Sequence, residues 1–239
     1  MTPPATPSSS DRAVIVEGAV QALIAGFVDT CGFVALFGLF TAHVTGNLVL
    51  IGAAIADYRG GLAAKLLALP VFMLAVVLCR AATLALQGRG KNPAVPLLGL
   101  QLLLLAGFMA AGIAATPISD GDAPLAIAAG MLGVAAMAIQ NTLSRTLFAG
   151  HAPTTVMTGN VTQLVIDLAD LVLGHAEPGH RARLAKMAPA VLAFTGGALL
   201  GAVGYTLTGF WCLAMPIAAL ALLLVREARR PILLSAPRR

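Results

Sequence analysis

Charged side chains are scarce in this chain: Asp, Glu, Lys and Arg make up 10% of its 239 residues, where an average soluble domain carries about a quarter. So little charge argues against a water-soluble fold. Cysteine is equally thin. Cys31, Cys79 and Cys212 are odd in number, far apart and each inside an apolar run, so neither a disulfide framework nor a metal cluster is implied. The start, "MTPPATPSSSDR", lacks the basic region, short apolar core and small-residue cleavage site of a secretory signal; residues 1–12 read as a disordered tail. Enzyme signatures are missing too: there is no HExxH, G-x-S-x-G, Walker loop or paired cysteine motif. No enzymatic role, cofactor or metal is expected. The net charge of +5 comes from basic residues that flank apolar runs, where membrane orientation explains them better than nucleic acid does.

What is present is hydrocarbon: 59% of the chain is hydrophobic. Six runs, 17–39, 62–86, 94–115, 123–145, 184–207 and 209–225, approach or exceed the roughly 20 residues a helix needs to cross a bilayer. The expected fold is an all-α polytopic membrane bundle in a single integral domain. With six spans and the N-terminus inside, twelve of the fifteen Lys and Arg residues fall on the cytoplasmic side, as retention of positive charge requires. Both termini are then cytoplasmic. Three spans per half is an odd number, so 13–116 and 117–230 are expected to form two repeats inserted in opposite orientations, a recurrent transporter plan, followed by a basic tail at 231–239.

Each half also contains a short string of polar residues. "TAHVTGN" at 41–47 and "TTVMTGN" at 154–160 repeat with an offset of 113 residues (160 − 47). Each precedes a weakly apolar segment, Leu48–Ala56 and Val161–Leu173. The first would be about 13 Å long as a helix, under half the apolar thickness, so it can dip into the membrane but not cross it. Thr45, Gly46, Asn47, Thr158, Gly159 and Asn160 are therefore expected at the tips of two half-helices. There they either only cap free N–H groups or, with Thr41 and Thr154, line one shared site for a small solute. Two helix starts facing one cavity would suit an anion or a neutral polar molecule.

Asp29 lies inside the first span, where a carboxylate costs roughly 2.5–3.5 kcal/mol on insertion scales. Arg80, in the second span, is the expected partner. Asp29, Arg80 and His43, together with Gln140 and Asn141 in the second half, are candidates for coupling or gating. A static buried pair and a packing histidine are the plainer readings. Asp29 with His43 also supports the rival reading of an intramembrane enzyme, though no nucleophile accompanies them. A third reading is a structural or accessory membrane protein without transport. Gln163, Asp167 and Asp170 form a helical polar stripe that fits a segment lying along the interface. His175, Glu177 and His180 are badly spaced for a metal. Gly197 and Gly201, extended by Gly204, suit close helix packing or a homo-oligomer face; Tyr205 and Trp211 suit an interfacial belt.

The strings "GFVDTCGFVALFGLFTAHVTGNLVLIG" (26–52), "AIQNTLSRTLF" and "TTVMTGNVTQL" resemble the YoaK-like family of bacterial inner-membrane proteins over nearly the whole chain. The resemblance implies a bacterial inner-membrane location and a bundle of six spans or a similar number. By it, Asp29, Thr41, His43, Thr45, Gly46 and Asn47 match the family's first motif, and Gln140, Asn141, Thr158 and Gly159 its second. It implies no substrate or reaction.

Overall fold

The computed structural model describes residues 9–56, 60–152, 154–155, 157–177 and 179–230, and these are helical with no strand among them. The elements are α1 (Ser9–Ala35), α2 (Val44–Ala53), α3 (Leu62–Gly88), α4 (Ala94–Ala115), α5 (Pro124–Arg145), α6 (Met157–Val172), α7 (His180–Thr208), a 3-10 turn (Gly209–Leu213) and α8 (Ala214–Ala228). Five stretches are long and apolar enough to cross a membrane: Asp11–Ala35, Leu62–Gly88, Ala94–Ala115, Pro124–Arg145 and the 49 residues His180–Ala228. The last stretch holds both of the final runs expected from the sequence, joined through the 3-10 turn. Helix α1 begins before residue 12, so 9–12 belong to a helix and not to the expected tail; residues 1–8 and the basic tail lie outside the described residues.

Helix directions follow from residue contacts. Gly197 and Gly201 of α7 press on the carbonyl oxygens of Leu23 and Phe27 of α1, so the two helices run parallel. Cys212 meets Cys31, with sulfurs 3.7 Å apart, and Arg226 meets Glu17 at 3.1 Å. The chain after Gly209 therefore runs back along α1. Helix α5 runs antiparallel to α1, because Gln140 reaches Gln21 while Gly130 packs on Leu36 and Leu39.

Close packing holds this arrangement, because lipid tails are as apolar as leucine and contribute no hydrophobic drive between helices. A Cβ at Gly201 would lie 2.5 Å from the Phe27 oxygen, and Gly26 is pressed as tightly on the Phe194 oxygen. The small-residue motif of α7 is thus spent inside the bundle, and the oligomer face expected from it is occupied by α1. Around this seam Ile24, Val28, Leu105, Met137 and Leu220 are fully buried, whereas Met73, Leu74, Val77 and Leu78 on α3 face outward, as lipid-facing residues do.

The loop after α1 is pinned at its turn. Phe37 takes the left-handed conformation (φ 53), a cost of about 1–2 kcal/mol for a residue with a Cβ. Its carbonyl accepts the Lys65 ammonium at 2.7 Å, which also donates to Gly60 O at 2.9 Å and Gly61 O at 3.4 Å. All three ammonium protons find carbonyls, which is how a lysine can be 6% exposed here.

Candidate functional site

The first polar string folds around Asp29. Its Oδ1 accepts the backbone N–H groups of Thr41 (2.8 Å), Ala42 (2.6 Å) and His43 (3.3 Å) and the Thr41 hydroxyl (3.4 Å), and its Oδ2 lies 2.7 Å from His43 Nδ1. These N–H groups immediately precede α2, which starts at Val44. The carboxylate therefore sits where the positive end of a helix dipole favours an anion. This corrects two expectations. Arg80 is exposed on α3 and forms no pair with Asp29, because α3 packs on α5 and α2 and not on α1. The helix start offered to a small anion already holds the protein's own carboxylate.

The T-G-N residues also differ from the tip that was expected. They lie in the first turn of α2, whose N-cap His43 makes no side-chain cap bond. Asn47 instead clamps the preceding loop: its Oδ1 accepts Phe40 N–H and its Nδ2 donates to Phe40 O, both at 2.9 Å. Both amide faces are used on backbone, as a strand neighbour would use them. Gly46 makes room for the Phe40 ring, since a Cβ there would lie 2.8 Å from it. Thr45 faces out, exposed.

The second string has the same burial pattern. Thr154 (2%) and Asn160 (3%) are buried like Thr41 and Asn47 (0% each), while Thr158 and Gly159 are exposed like Thr45. Thr45, Thr158 and Gly159 therefore line no interior site. Residue 153, the counterpart of Phe40, lies outside the described residues. Thr142, the counterpart of Asp29, donates its hydroxyl to Ala138 O at 2.8 Å within its own helix. The anchor of Thr154 is Gln140 instead, whose Nε2 donates to Gln21 O at 2.8 Å and to Thr154 Oγ1 at 3.4 Å. Gln101 Nε2 donates to Gln140 Oε1 at 2.9 Å. Asn141 is half-buried beside this relay, its carbonyl taken by Ser144.

The two strings thus sit at different levels of α5. Thr41 packs on Gly133 and Thr154 on Gln140, seven residues or about 10 Å further along the helix. Phe108 also packs on Gly133 and stands edge-on to Phe210, with centroids 5.7 Å apart. Leu105 and Met137, fully buried, occupy the intervening turns. One polar group (Asp29, Thr41, His43) is separated by apolar side chains from a second (Gln101, Gln140, Thr154). A cavity of about 30 Å3 adjoins the second group, lined among others by Glu17, Gln21, Gln140, His151 and Thr154.

Sequence reasoning passed over Glu17. It is 8% exposed and is held by Arg226 at 3.1 Å, by Arg230, and by His151 at 3.3 Å. Its signal was an acid inside an apolar run with basic residues near the C-terminal end, a pairing 213 positions apart. Gln101, a lone amide in an apolar helix, carried a similar signal. The stripe of α6 turns inward: Asp167, fully buried, accepts Gln163 at 2.9 Å and Arg183 at 2.7 and 2.9 Å, which holds the Asp167 carboxyl below its usual range. Its apolar face, with Val161, Val165 and Leu168, is the exposed one. Among the described residues no group of His, Cys, Asp and Glu could hold a metal.

His43 lies outside the spanning helices, with 34% of its side chain exposed. Its hydrogen bond to Asp29 raises the imidazole pKa above the ordinary 6.5, against a smaller lowering by burial. Because the folded value is the higher one, the stabilisation from this pair is fully present below pH 6.5 and is lost as pH rises through the raised value. Histidine NMR in detergent is expected to find His43 still protonated where a free imidazole is neutral, and Asp29→Asn is expected to bring its titration down. A His43 titration unmoved by Asp29→Asn would mean that the pair does not form.

Residues 18–226 match the family model described as "Protein of unknown function (DUF1275)", and that range takes in both polar strings and the groups around Asp29 and Gln140. The chain belongs to that family. Over 148 residues it is 31% identical to the UPF0700 transmembrane protein YoaK of Bacillus subtilis (strain 168), covering 62% of this chain and 64% of that relative. The match thus spans a little under two thirds of that relative's length. No solved structure matches. The family assignment and the apolar helices make this a multi-pass membrane protein.

Proposed function

We propose that the protein is a transporter or channel for a small polar solute in the bacterial inner membrane, with six crossings, cytoplasmic termini and two inverted repeats. The single observation that carries the reading is a pair of polar groups, one at each copy of the T-x-x-h-T-G-N string, separated by a short apolar barrier about 10 Å deep around Phe108, Leu105 and Met137. That is what a pathway closed at its middle requires. Two further features support the repeat. The seam of α1 with α7 has its counterpart in that of α3 with α5, and α2 with α3 in α6 with α7; α1 and α5, which start the halves, run antiparallel. The reversal of the chain at Gly209 supports a sixth crossing by α8.

In this reading Thr41, Asp29 and His43 form the outer half-site and Thr154, Gln140 and Gln101 the inner one, with Asn47 and Gly46 as scaffold. His43 exchanges a proton with the outer solution, since its imidazole is accessible while it rests on buried Asp29. Proteoliposomes containing wild-type protein are expected to pass small polar solutes at least about tenfold faster than protein-free vesicles, measured by stopped-flow swelling. Phe108→Ala, which thins the barrier, should raise that flux and flatten its dependence on solute. Equal rates for empty vesicles, wild type and a correctly inserted Phe108→Ala would leave an accessory role instead.

A second reading, an intramembrane enzyme, draws on the 2.7 Å Asp29–His43 contact, since a carboxylate that orients an imidazole is how a general base is held. It would be favoured if His43→Ala abolished a hydrolytic turnover while leaving flux untouched.

A further inference from the structure

One charged side chain stands where only hydrocarbon is expected. Arg80 lies inside α3 and is exposed, on a face it shares with Met73, Val77 and Leu84, which follow one another at helical spacing. Ionisable residues within a span normally turn to the bundle interior, because lipid tails offer a charge no partner. Lys65, at the other end of the same helix, obeys that rule: it is buried and gives its protons to three carbonyls. Arg80 does not. Its guanidinium makes no hydrogen bond or ion pair with any described residue.

Depth decides what it can reach. Arg80 is eight residues from Gly88, the last residue of α3, or about 12 Å along the axis. The 27 residues of α3 make a helix about 40 Å long against about 30 Å of hydrocarbon, so with α3 centred Arg80 starts roughly 7 Å inside the apolar layer. An extended arginine stem covers that distance and brings the guanidinium to the level of the lipid phosphates. Further along the chain Arg89 and Lys91 are exposed as well, and neither side chain has an ion-pair partner. No Asp or Glu occurs between Asp57 and Asp120, so the hairpin of α3 and α4 carries nothing to neutralise the three cations. A second copy does not supply it either: the acids deep within its spans, Glu17 and Asp29, are buried and bonded to their own chain. We propose that this end of α3 binds an anionic phospholipid. The Arg80 fork grips its phosphate, its acyl chains lie along Val77 and Met73, and Arg89 and Lys91 favour a negative headgroup over a zwitterionic one, whose own cation they repel.

The test counts bound lipid. Purified full-length protein, stripped of lipid in a neutral detergent, is titrated with phosphatidylglycerol or phosphatidylcholine of the same acyl chains, and retained lipid is followed by native mass spectrometry. Wild type should retain one phosphatidylglycerol about tenfold more tightly than phosphatidylcholine. Arg80→Gln should weaken phosphatidylglycerol about tenfold, the scale of losing hydrogen bonds to a charged group, and Arg80→Lys less, since a point charge replaces a planar fork. Arg89→Gln with Lys91→Gln should erase the preference between the two lipids, and Arg229→Gln, an exposed arginine on α8's end, should change nothing. Equal retention of both lipids by wild type sinks the proposal even if no variant folds. So does an Arg229→Gln loss as large as that of Arg80→Gln, which would mean diffuse attraction. Displacement of the lipid by inorganic phosphate at equal concentration would assign the site to a soluble anion instead, and a dimer that excludes phosphatidylglycerol and is lost in Arg80→Gln would assign the face to a second copy.

Discussion

Asp29→Ala is expected to release the first polar loop and to destabilise the protein by about 3–5 kcal/mol, the scale for removing one partner of a buried, fully bonded charge. Three backbone N–H groups and the Thr41 hydroxyl lose their acceptor at Oδ1, and the His43 ring loses Oδ2. The N-terminal end of α2 also loses the anion that offsets its dipole. Hydrogen exchange should show the amides of residues 41–43 opening at a small fraction of the global unfolding cost, while α5 and α7 keep their protection. Asp29→Asn separates anchoring from any proton role. Its amide oxygen still accepts from the loop, so exchange at 41–43 should rise only modestly. If Asp29 and His43 couple protons, pH dependence of flux should vanish in Asp29→Asn while insertion is retained. Unchanged protection at 41–43 in Asp29→Ala would show that the carboxylate does not hold the loop.

Gly197→Leu is the substitution expected to do most damage to assembly. A Cβ at this position would run into the Leu23 carbonyl of α1 and its neighbouring backbone atoms, and backbone cannot swing aside as a flexible side chain can. Helices α1 and α7 would have to separate along the seam that also includes Gly26 and Gly201. Overpacking of a tight interface costs about 1–3 kcal/mol and sometimes more; here the upper end is expected, because the clash is with main chain on a parallel partner and no water is available to fill the opened gap. The measurement is the yield of monodisperse protein after detergent extraction, with Gly196→Leu as the control, since a Cβ at Gly196 meets nothing within 4 Å. Equal yields for the two variants would mean that α1 and α7 do not approach as described.

Much of the architecture was readable from residues in order. Spans in α3, α4 and α5 were bounded to within a few positions, since a run of apolar residues between charged or Gly/Pro breaks determines where a helix can rest in lipid. The duplicated string was visible as spelling, and its matching burial in the two copies follows from that spelling. Its local geometry was not: a helix was expected to begin after Asn47, but α2 begins at Val44, because Asn47 turns back to clamp Phe40 where a cap would have turned forward. For the candidate site, Asp29, His43, Gln140 and Thr154 were named from their types, as polar groups that lipid would not tolerate alone. Their partners were another matter. Arg80 looked like the natural mate of Asp29 by charge, yet α3 packs on α5 and α2 and not on the helix that carries Asp29.

By itself the sequence determined that this chain lives in a bilayer, roughly where its helices lie, and that its two halves share a polar string, since hydropathy and spacing are properties of neighbouring residues. Only the tertiary structure decided that Asp29 holds its own loop, that the α7 glycines face α1, and that Glu17 meets Arg226 and Arg230. Those outcomes depend on how each helix is rotated about its axis and on which distant helix it packs against, and each is settled by the whole set of contacts at once.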